Sequence, residues 1–139
     1  MRRRGFTLVE VMIAVCIVIV LAAQCVYRYT LAAEITRVDT ACATLRSIWV
    51  AERLYRMEHP GYAAHLADLS AMGLIESRLG QEQDPFIYTI ESADQAGFVA
   101  HATRHGAGSW AGSLTIDQTG ELTGSIDGPE GEHVTPPVQ

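Results

Sequence analysis

The stretch FTLVEVMIAVCIVIVLAAQCVY, residues 6–27, decides the fold of this 139-residue chain. Nineteen of its 22 residues are hydrophobic, its one charged residue is Glu10, and it contains no glycine or proline. As an α-helix rising about 1.5 Å per residue it covers about 33 Å, enough to span a hydrocarbon core of about 30 Å. The other 117 residues have an ordinary hydrophobic content. The sequence therefore predicts one membrane helix followed by one small soluble domain.

The residues flanking this helix predict its orientation. Arg2, Arg3 and Arg4 precede it directly, so the positive-inside bias places the N-terminus in the cytoplasm and the remaining chain outside. A removable signal peptide is disfavoured, because no small-x-small cleavage site follows the apolar run at the right distance. A twin-arginine export signal at residues 3–6 lacks the same site and leaves Glu10 unexplained.

Glu10 is the most informative residue of the apolar stretch. An ionised carboxylate inside hydrocarbon costs several kcal/mol, so an acid in a membrane helix indicates a function. The alternative is that Glu10 lies at the depth of the lipid headgroups, where the cost is small.

The context of Glu10 points to a known kind of signal. Three arginines and Gly5, then Phe6-Thr7-Leu8-Val9-Glu10, then a long apolar helix, resemble the class III signal of type IV pilins and type II secretion pseudopilins. The resemblance implies that a membrane-embedded prepilin peptidase cuts between Gly5 and Phe6 and methylates the new amine of Phe6. It also implies that Glu10 pairs with the Phe6 amine of a neighbouring subunit during assembly.

The resemblance further implies the protein's location and partners. These are the lipid bilayer, the prepilin peptidase, an inner-membrane assembly platform, other pilin-like subunits and copies of this chain. The protein would cross the inner membrane once, with its C-terminal domain in the periplasm, and then enter a pilus or pseudopilus. It would be a structural subunit and not an enzyme. The alternative is a membrane-anchored periplasmic binding or sensor protein that never polymerises.

The charge disfavours a nucleic-acid partner. Ten arginines and sixteen acidic residues give a net charge of -6, and loss of a leader at residues 1–5 leaves 7 − 16 = −9. A nucleic-acid binder needs a basic surface instead. A DNA-uptake minor pilin is therefore disfavoured, although the sequence does not otherwise distinguish a pilus from a secretion or competence system.

Residues 28–59 continue the helix as an amphipathic segment. No glycine or proline occurs from Phe6 to His59, and Pro60-Gly61 then end the helix. The predicted apolar seam has spacings of three and four residues: Leu31, Ile35, Val38, Cys42, Leu45 and Trp49, widened by Ala41, Ile48 and Tyr55. Glu52 and Arg56 are expected to form an exposed ion pair. The seam needs the C-terminal domain as cover; a coiled coil with another chain is the alternative.

Residues 60–126 are predicted to form the globular part. A short helix around residues 66–72 ends at Gly73, and period-two patterns predict strands at residues 86–90, 97–103, 113–117 and 121–123. Short connections favour an antiparallel meander. The predicted fold class is α+β and pilin-like, with the long helix packed on a sheet of about four strands. Residues 127–139 are predicted to be a mobile acidic tail.

A few side chains are candidates for metal binding, catalysis or a subunit contact. His101 and His105 have a zinc-like spacing, but it runs from a strand into a glycine-rich loop and does not predict a site. Ser109 lacks the first glycine of a nucleophile elbow. Trp110, in the same loop, is a candidate contact with a neighbouring subunit. Cys42 is the last of three cysteines in the chain, so the C-terminal disulfide of many pilins is missing.

Calcium is the one cofactor that the resemblance suggests, because major type II pseudopilins bind it in a C-terminal loop. The candidate ligands are Asp117, Glu121 and Asp127, although the late acidic residues do not follow the order of an EF-hand. A solvated acidic tail is the alternative, and no other cofactor is expected.

Overall fold

The computed structural model describes residues 7–79, 85–105 and 110–137, without the side chains of residues 24–27. In chain order the elements are α1 (Leu8–Glu58), α2 (Leu66–Ala71), β1 (Phe86–Ala93), β2 (Phe98–Arg104), β3 (Ala111–Asp117), β4 (Leu122–Asp127) and β5 (His133–Val134). The contacts divide the chain into two compact units, Met1–Glu34 and Ile35–Gln139. The expected α+β, pilin-like arrangement of a long helix and an antiparallel sheet is confirmed.

Helix α1 is unbroken over 51 residues, because nothing in its sequence interrupts the backbone hydrogen bonds. It ends where predicted: the His59 N–H donates to the Tyr55 carbonyl at 3.1 Å, and Pro60 cannot continue the ladder. The His59 ring also stacks on the Tyr55 ring, with centroids 4.0 Å apart. The predicted start at Phe6 lies outside the described residues.

The sheet is an antiparallel meander in which each strand pairs with the next, in the order β1-β2-β3-β4-β5. This confirms the predicted topology, but the expected number of about four strands is one too small. The additional strand, β5, pairs with the end of β4 and buries Val134, within the segment predicted to be a mobile tail. A strand of two residues is too short to show a period-two pattern, so this strand could not be predicted from the sequence.

The inner face of the sheet follows from the alternation of side chains along each strand. Ala100 and Ala102, on the central part of the sheet, are fully buried, and such small side chains let a helix approach the strands closely. The buried residues of the sheet are Phe86, Tyr88, Phe98, Ala100, Ala102, Leu114, Ile116, Ile126 and Val134. Those of the facing stretch of α1 include Val38, Ala41, Cys42, Leu45, Ile48 and Ala51.

The predicted seam of α1 is confirmed from Val38 to Ile48 and wrong at both of its ends. Ile35 is 43% exposed, whereas the adjacent Glu34 is fully buried. At the other end, Glu52 is fully buried and does not form the predicted exposed pair with Arg56. The Arg56 guanidinium instead donates to the Tyr62 hydroxyl at 2.8 Å.

The buried side chain of Glu52 holds the segment that follows α1. Its Oε2 accepts the Ala63 N–H at 2.8 Å, while Oε1 has no hydrogen-bond partner among the described residues. Burial raises the pKa of Glu52 to about 7; the Ala63 hydrogen bond opposes this shift and the charge of Asp68 adds to it. The folded chain therefore keeps a proton on Glu52 at a pH where the unfolded chain has lost it.

This difference predicts that stability falls as pH rises. Glu52 ionises near pH 4.5 in the unfolded chain and near pH 7 in the folded chain, so its neutral form is favoured by folding. Between about pH 4.5 and 7 the unfolding free energy should decline by up to about 3 kcal/mol on account of this group. Chemical denaturation of the full chain and of Glu52→Gln across this range measures the effect. A pH dependence that the substitution leaves unchanged would contradict it.

The β3–β4 hairpin requires glycine at two positions where the strands approach closely. Gly112 and Gly124 have φ angles of +139° and +106°. A Cβ on Gly124 would lie 2.2 Å from the Ser113 carbonyl oxygen, and one on Gly112 would lie 2.2 Å from that of Ser125. Both conformation and space therefore exclude a side chain at these two positions.

Replacing Gly124 by alanine is expected to lower the unfolding free energy by about 3 kcal/mol or more, since strain and overlap add. Gly131→Ala is the matched control. Gly131 also has a positive φ, +87°, but nothing lies within 4 Å of its Cβ position, so it should lose only about 1 kcal/mol. Equal losses in the two variants, measured by denaturant titration, would show that the close approach is unimportant.

Candidate functional site: the N-terminal apolar segment

Thr7 defines the start of α1. Its Oγ1 accepts the Glu10 N–H at 3.3 Å, and its carbonyl accepts the Val11 N–H at 3.2 Å. Thr7 is thus the N-cap, and Thr7-x-x-Glu10 is the sequence pattern of a capping box. This role of Thr7 was not predicted, although the pattern Thr7-x-x-Glu10 is visible in the sequence.

Glu10 therefore lies in the first turn of α1, three positions after the cap. A negative side chain is favourable there, because the first backbone N–H groups of a helix give its N-terminus a partial positive charge. The position supplies a structural reason for an acid at the start of this helix. It does not remove the cost of placing a carboxylate beside a long apolar surface.

The residues on both sides of Glu10 form a continuous exposed apolar surface, which we call the apolar segment (Leu8–Ala23). All of its side chains are exposed. The large apolar ones are Leu8, Val9, Val11, Met12, Ile13, Val15, Ile17, Val18, Ile19, Val20 and Leu21, each more than half exposed. By length and composition α1 is able to cross a membrane, a property that an N-terminal signal sequence shares. Such a surface needs an apolar environment from outside the described chain.

Comparison with protein families identifies the signal. Residues 1–23 match the family model for the prokaryotic N-terminal methylation motif. This motif is the class III prepilin signal of type IV pilins and pseudopilins, so the resemblance seen in the sequence is confirmed. A search of curated proteins finds no match. The motif and the fold together support a pilin-like or pseudopilin protein that a prepilin peptidase processes.

The structure describes only part of the predicted processing and assembly site. Glu10 is placed, in the first turn of α1. Gly5 and Phe6, the predicted cleavage residues, and the leader arginines at positions 2–4 lie outside the described residues.

The calcium candidates do not form one group, because Asp127 lies at the opposite end of the β3–β4 hairpin from Asp117 and Glu121. Asp117 caps the β3–β4 turn: its Oδ1 accepts the Thr119 hydroxyl and N–H, and the hydroxyl bond is the main cause of its lowered pKa. Asp127 lies at the other end of the hairpin and accepts the His133 Nδ1–H at 2.7 Å, which lowers its pKa.

The strand register keeps Asp127 from sharing an ion with Asp117 or Glu121. β3 pairs from Ala111 with Asp127 to Ile116 with Leu122, a span of about 17 Å at 3.4 Å per residue. Glu121 lies beside Asp117 at the turn, with its N–H 3.4 Å from the Asp117 Oδ1. Within residues 7–79, 85–105 and 110–137, no three His, Cys, Asp or Glu side chains are grouped to hold a metal. Calcium binding by these residues stays a prediction.

The two histidines considered for zinc also lie apart. His101 is in β2, where its Nε2 pairs with Glu91 and its Nδ1 lies 3.1 Å from the Thr115 hydroxyl. His105 follows the strand, exposed, and its N–H donates to the Pro85 carbonyl. Residues four apart in an extended chain are separated by about 13 Å, so the spacing does not produce a metal site.

The glycine-rich loop includes a candidate nucleophile, Ser109, and a candidate subunit contact, Trp110. Ser109 lies outside the described residues. Trp110 is half-buried and packs against Gly128, where an added Cβ would come within 2.9 Å of the indole ring. The predicted contact of Trp110 with a neighbouring subunit is untested. Its observed role is to support the β4–β5 turn.

The cap predicts a local effect of Thr7. Thr7→Ala removes the acceptor for the Glu10 N–H and should weaken the first turn of α1 by about 1 kcal/mol. The expected result is about fivefold faster hydrogen exchange at the Glu10 amide of the full chain in detergent micelles. Thr7→Ser, which keeps the acceptor, should exchange at the original rate. An unchanged rate in Thr7→Ala would contradict the cap.

Proposed function

We propose that this protein is a structural subunit of a type IV pilus-like filament or a type II secretion pseudopilus, acting through assembly and not as an enzyme. The observation that supports this most directly is the exposed apolar segment, which carries Glu10 in the first turn of α1 and overlaps a class III prepilin signal. Before assembly, the bilayer supplies the apolar environment that this segment needs. In a filament, the same segments of neighbouring subunits replace the lipid.

Glu10 supplies the register of this assembly. Cleavage between Gly5 and Phe6 creates a positively charged amine four residues before the acid, and methylation by the peptidase leaves that charge in place. In apolar surroundings the carboxylate is stable only when paired, so the Phe6 amine of a neighbouring subunit is its natural partner. A pair of this kind holds the helices at one axial offset, because any other offset leaves two buried charges unpaired.

The orientation follows from the same arrangement. Arg2, Arg3 and Arg4 keep the leader in the cytoplasm, where the peptidase removes it at the membrane surface. The unit that contains the sheet then lies on the outer side of the inner membrane. The expected partners are the peptidase, an assembly platform in that membrane, and other pilin-like subunits.

Substitution of Glu10 tests the proposal. Glu10→Ala should still yield a chain that starts at a methylated Phe6, seen by mass spectrometry of the purified protein, because the cleaved bond precedes the acid by five residues. Recovery in sheared or purified filaments should fall at least about tenfold, since one partner of a buried pair is missing. Glu10→Gln, which keeps the size but not the charge, should fall similarly.

Glu58→Ala is the matched control, because Glu58 is an exposed acid on the same helix but outside the apolar segment. It should leave both processing and filament recovery unchanged. Normal filament abundance from Glu10→Ala would refute the pairing. A purified wild-type chain that retains Met1 would instead favour the anchored periplasmic binding or sensor protein.

A further inference from the structure

The C-terminal part of α1 carries a second exposed apolar surface. Val50, Leu54 and Met57 follow one another at helical spacing and are 49%, 46% and 82% exposed. With Trp49 and Arg53 they line a shallow groove of about 300 Å³, which we call the helix groove. These residues lie outside the apolar segment, so the bilayer does not account for their exposure.

The chemistry of the helix groove is both apolar and cationic. The Arg53 guanidinium lies 4.7 Å from the centre of the Trp49 ring, and the Trp49 Nε1–H donates to the Gln118 carbonyl at 3.1 Å. The two side chains are therefore held in place before any partner arrives, which lowers the entropy cost of binding. Tryptophan, arginine and methionine are enriched in protein interfaces. The groove fits a partner that presents an apolar and an acidic group together.

A second copy of the chain supplies the complementary charge. In residues 35–58 there are four arginines and three acids, and one of those acids, Glu52, is buried. In residues 85–137 there are one arginine and seven acids. The C-terminal half of α1 is thus cationic on its surface, whereas the sheet is strongly acidic. Potentials of opposite sign favour the approach of the sheet of one copy to the helix groove of another.

The β4–β5 turn (Gly128–Glu132) is the acidic segment that best fits the helix groove. Pro129 and Glu130 are exposed on it, one apolar and one acidic. The turn is ordered in advance: the Glu130 N–H donates to the Glu132 Oε2 at 3.0 Å, and the Gly128 N–H donates to the Glu132 carbonyl at 2.8 Å. The Trp110 ring also packs against Gly128 of this turn.

The other acidic turn is already engaged within its own chain. In the β3–β4 turn, Gly120 packs against the Trp49 ring, where an added Cβ would lie 3.1 Å from the indole. This contact also places the helix groove at the end of the sheet that carries the β3–β4 turn. The β4–β5 turn lies at the opposite end, about 17 Å away along the hairpin.

We propose that the helix groove of one chain receives the β4–β5 turn of a second copy, with Arg53 facing Glu130. Because the two surfaces differ and lie at opposite ends of the same domain, the contact is head-to-tail. A head-to-tail contact that does not close into a ring repeats without limit. The inference rests on the proposed function, to which it adds a contact between the globular parts of neighbouring subunits.

Cysteine cross-linking of the full chain in its native membrane tests the contact. Cys16, Cys25 and Cys42 are first replaced by alanine, and Met57→Cys and Pro129→Cys are then introduced together. Oxidation should produce a ladder of dimers, trimers and longer species, because each chain carries one cysteine on each surface. The matched control combines Met57→Cys with Thr119→Cys, on the exposed β3–β4 turn, and should give at least about tenfold less product.

Charge reversal supplies a second measurement. Arg53→Glu and Glu130→Arg should each lower the yield of the ladder about tenfold, and the double variant should recover most of it. A ladder that neither single reversal weakens, dimers without longer species, or monomers alone would overturn the docking of turn into groove.

The two proposals fail in different ways. Normal processing and Glu10-dependent filaments without the ladder would reject only the docking. A ladder in membranes from a chain that retains Met1 and forms no filaments would reject the filament function and support the contact.

Discussion

The apolar surface of Leu8–Ala23 is the constraint on which the rest of this protein depends. No part of the described chain covers it, so its environment must come from lipid or from other molecules. The same segment carries a charge in its first turn, Glu10, whose backbone N–H is capped by Thr7. An apolar helix that also contains an acid is stable in lipid only near the headgroups or beside a cation. In the proposed function, lipid meets this requirement before assembly and a neighbouring subunit meets it afterwards.

The sheet covers the apolar stripe of the C-terminal part of α1. Alternating side chains on five strands bury the stripe from Val38 to Ala51, and Glu52 then ties the following segment to the helix through Ala63. The buried carboxyl makes this junction sensitive to pH. One face of the helix remains exposed beyond the reach of the sheet. There Trp49 and Arg53 are held in position, and the acidic β4–β5 turn lies at the far end of the domain.

The features that could be predicted from the sequence are those that depend on residues close together in the chain. Segments with a clear hydrophobic period were predicted well: the unbroken α1, the short α2 and strands β1–β4 of the meander. Strand β5 was missed because two residues show no period, and its pairing depends on where β4 ends. Glu52 was predicted to be exposed because it is charged, although it lies seven residues after Leu45 and so falls on the buried side of α1. Its hydrogen bond to the Ala63 N–H depends on the path of the loop after α1, which helical spacing does not show. Ile35 was predicted to be buried because it is apolar, but the stripe runs through Glu34 and Val38 and leaves Ile35 exposed.

The candidate site divides along the same line. The class III signal, the acid at position 10 and the apolar helix are local features, set by residue type and order within 23 residues, so the sequence alone determined them. Whether separated residues meet is decided only by the tertiary structure. The hairpin register keeps Asp117 and Asp127 at opposite ends of the β3–β4 hairpin. In β2, His101 contacts Glu91 and Thr115. The contact of Gly120 with Trp49 positions the helix groove at one end of the sheet. Such contacts join residues far apart in sequence, and strand pairing and helix packing set their distances.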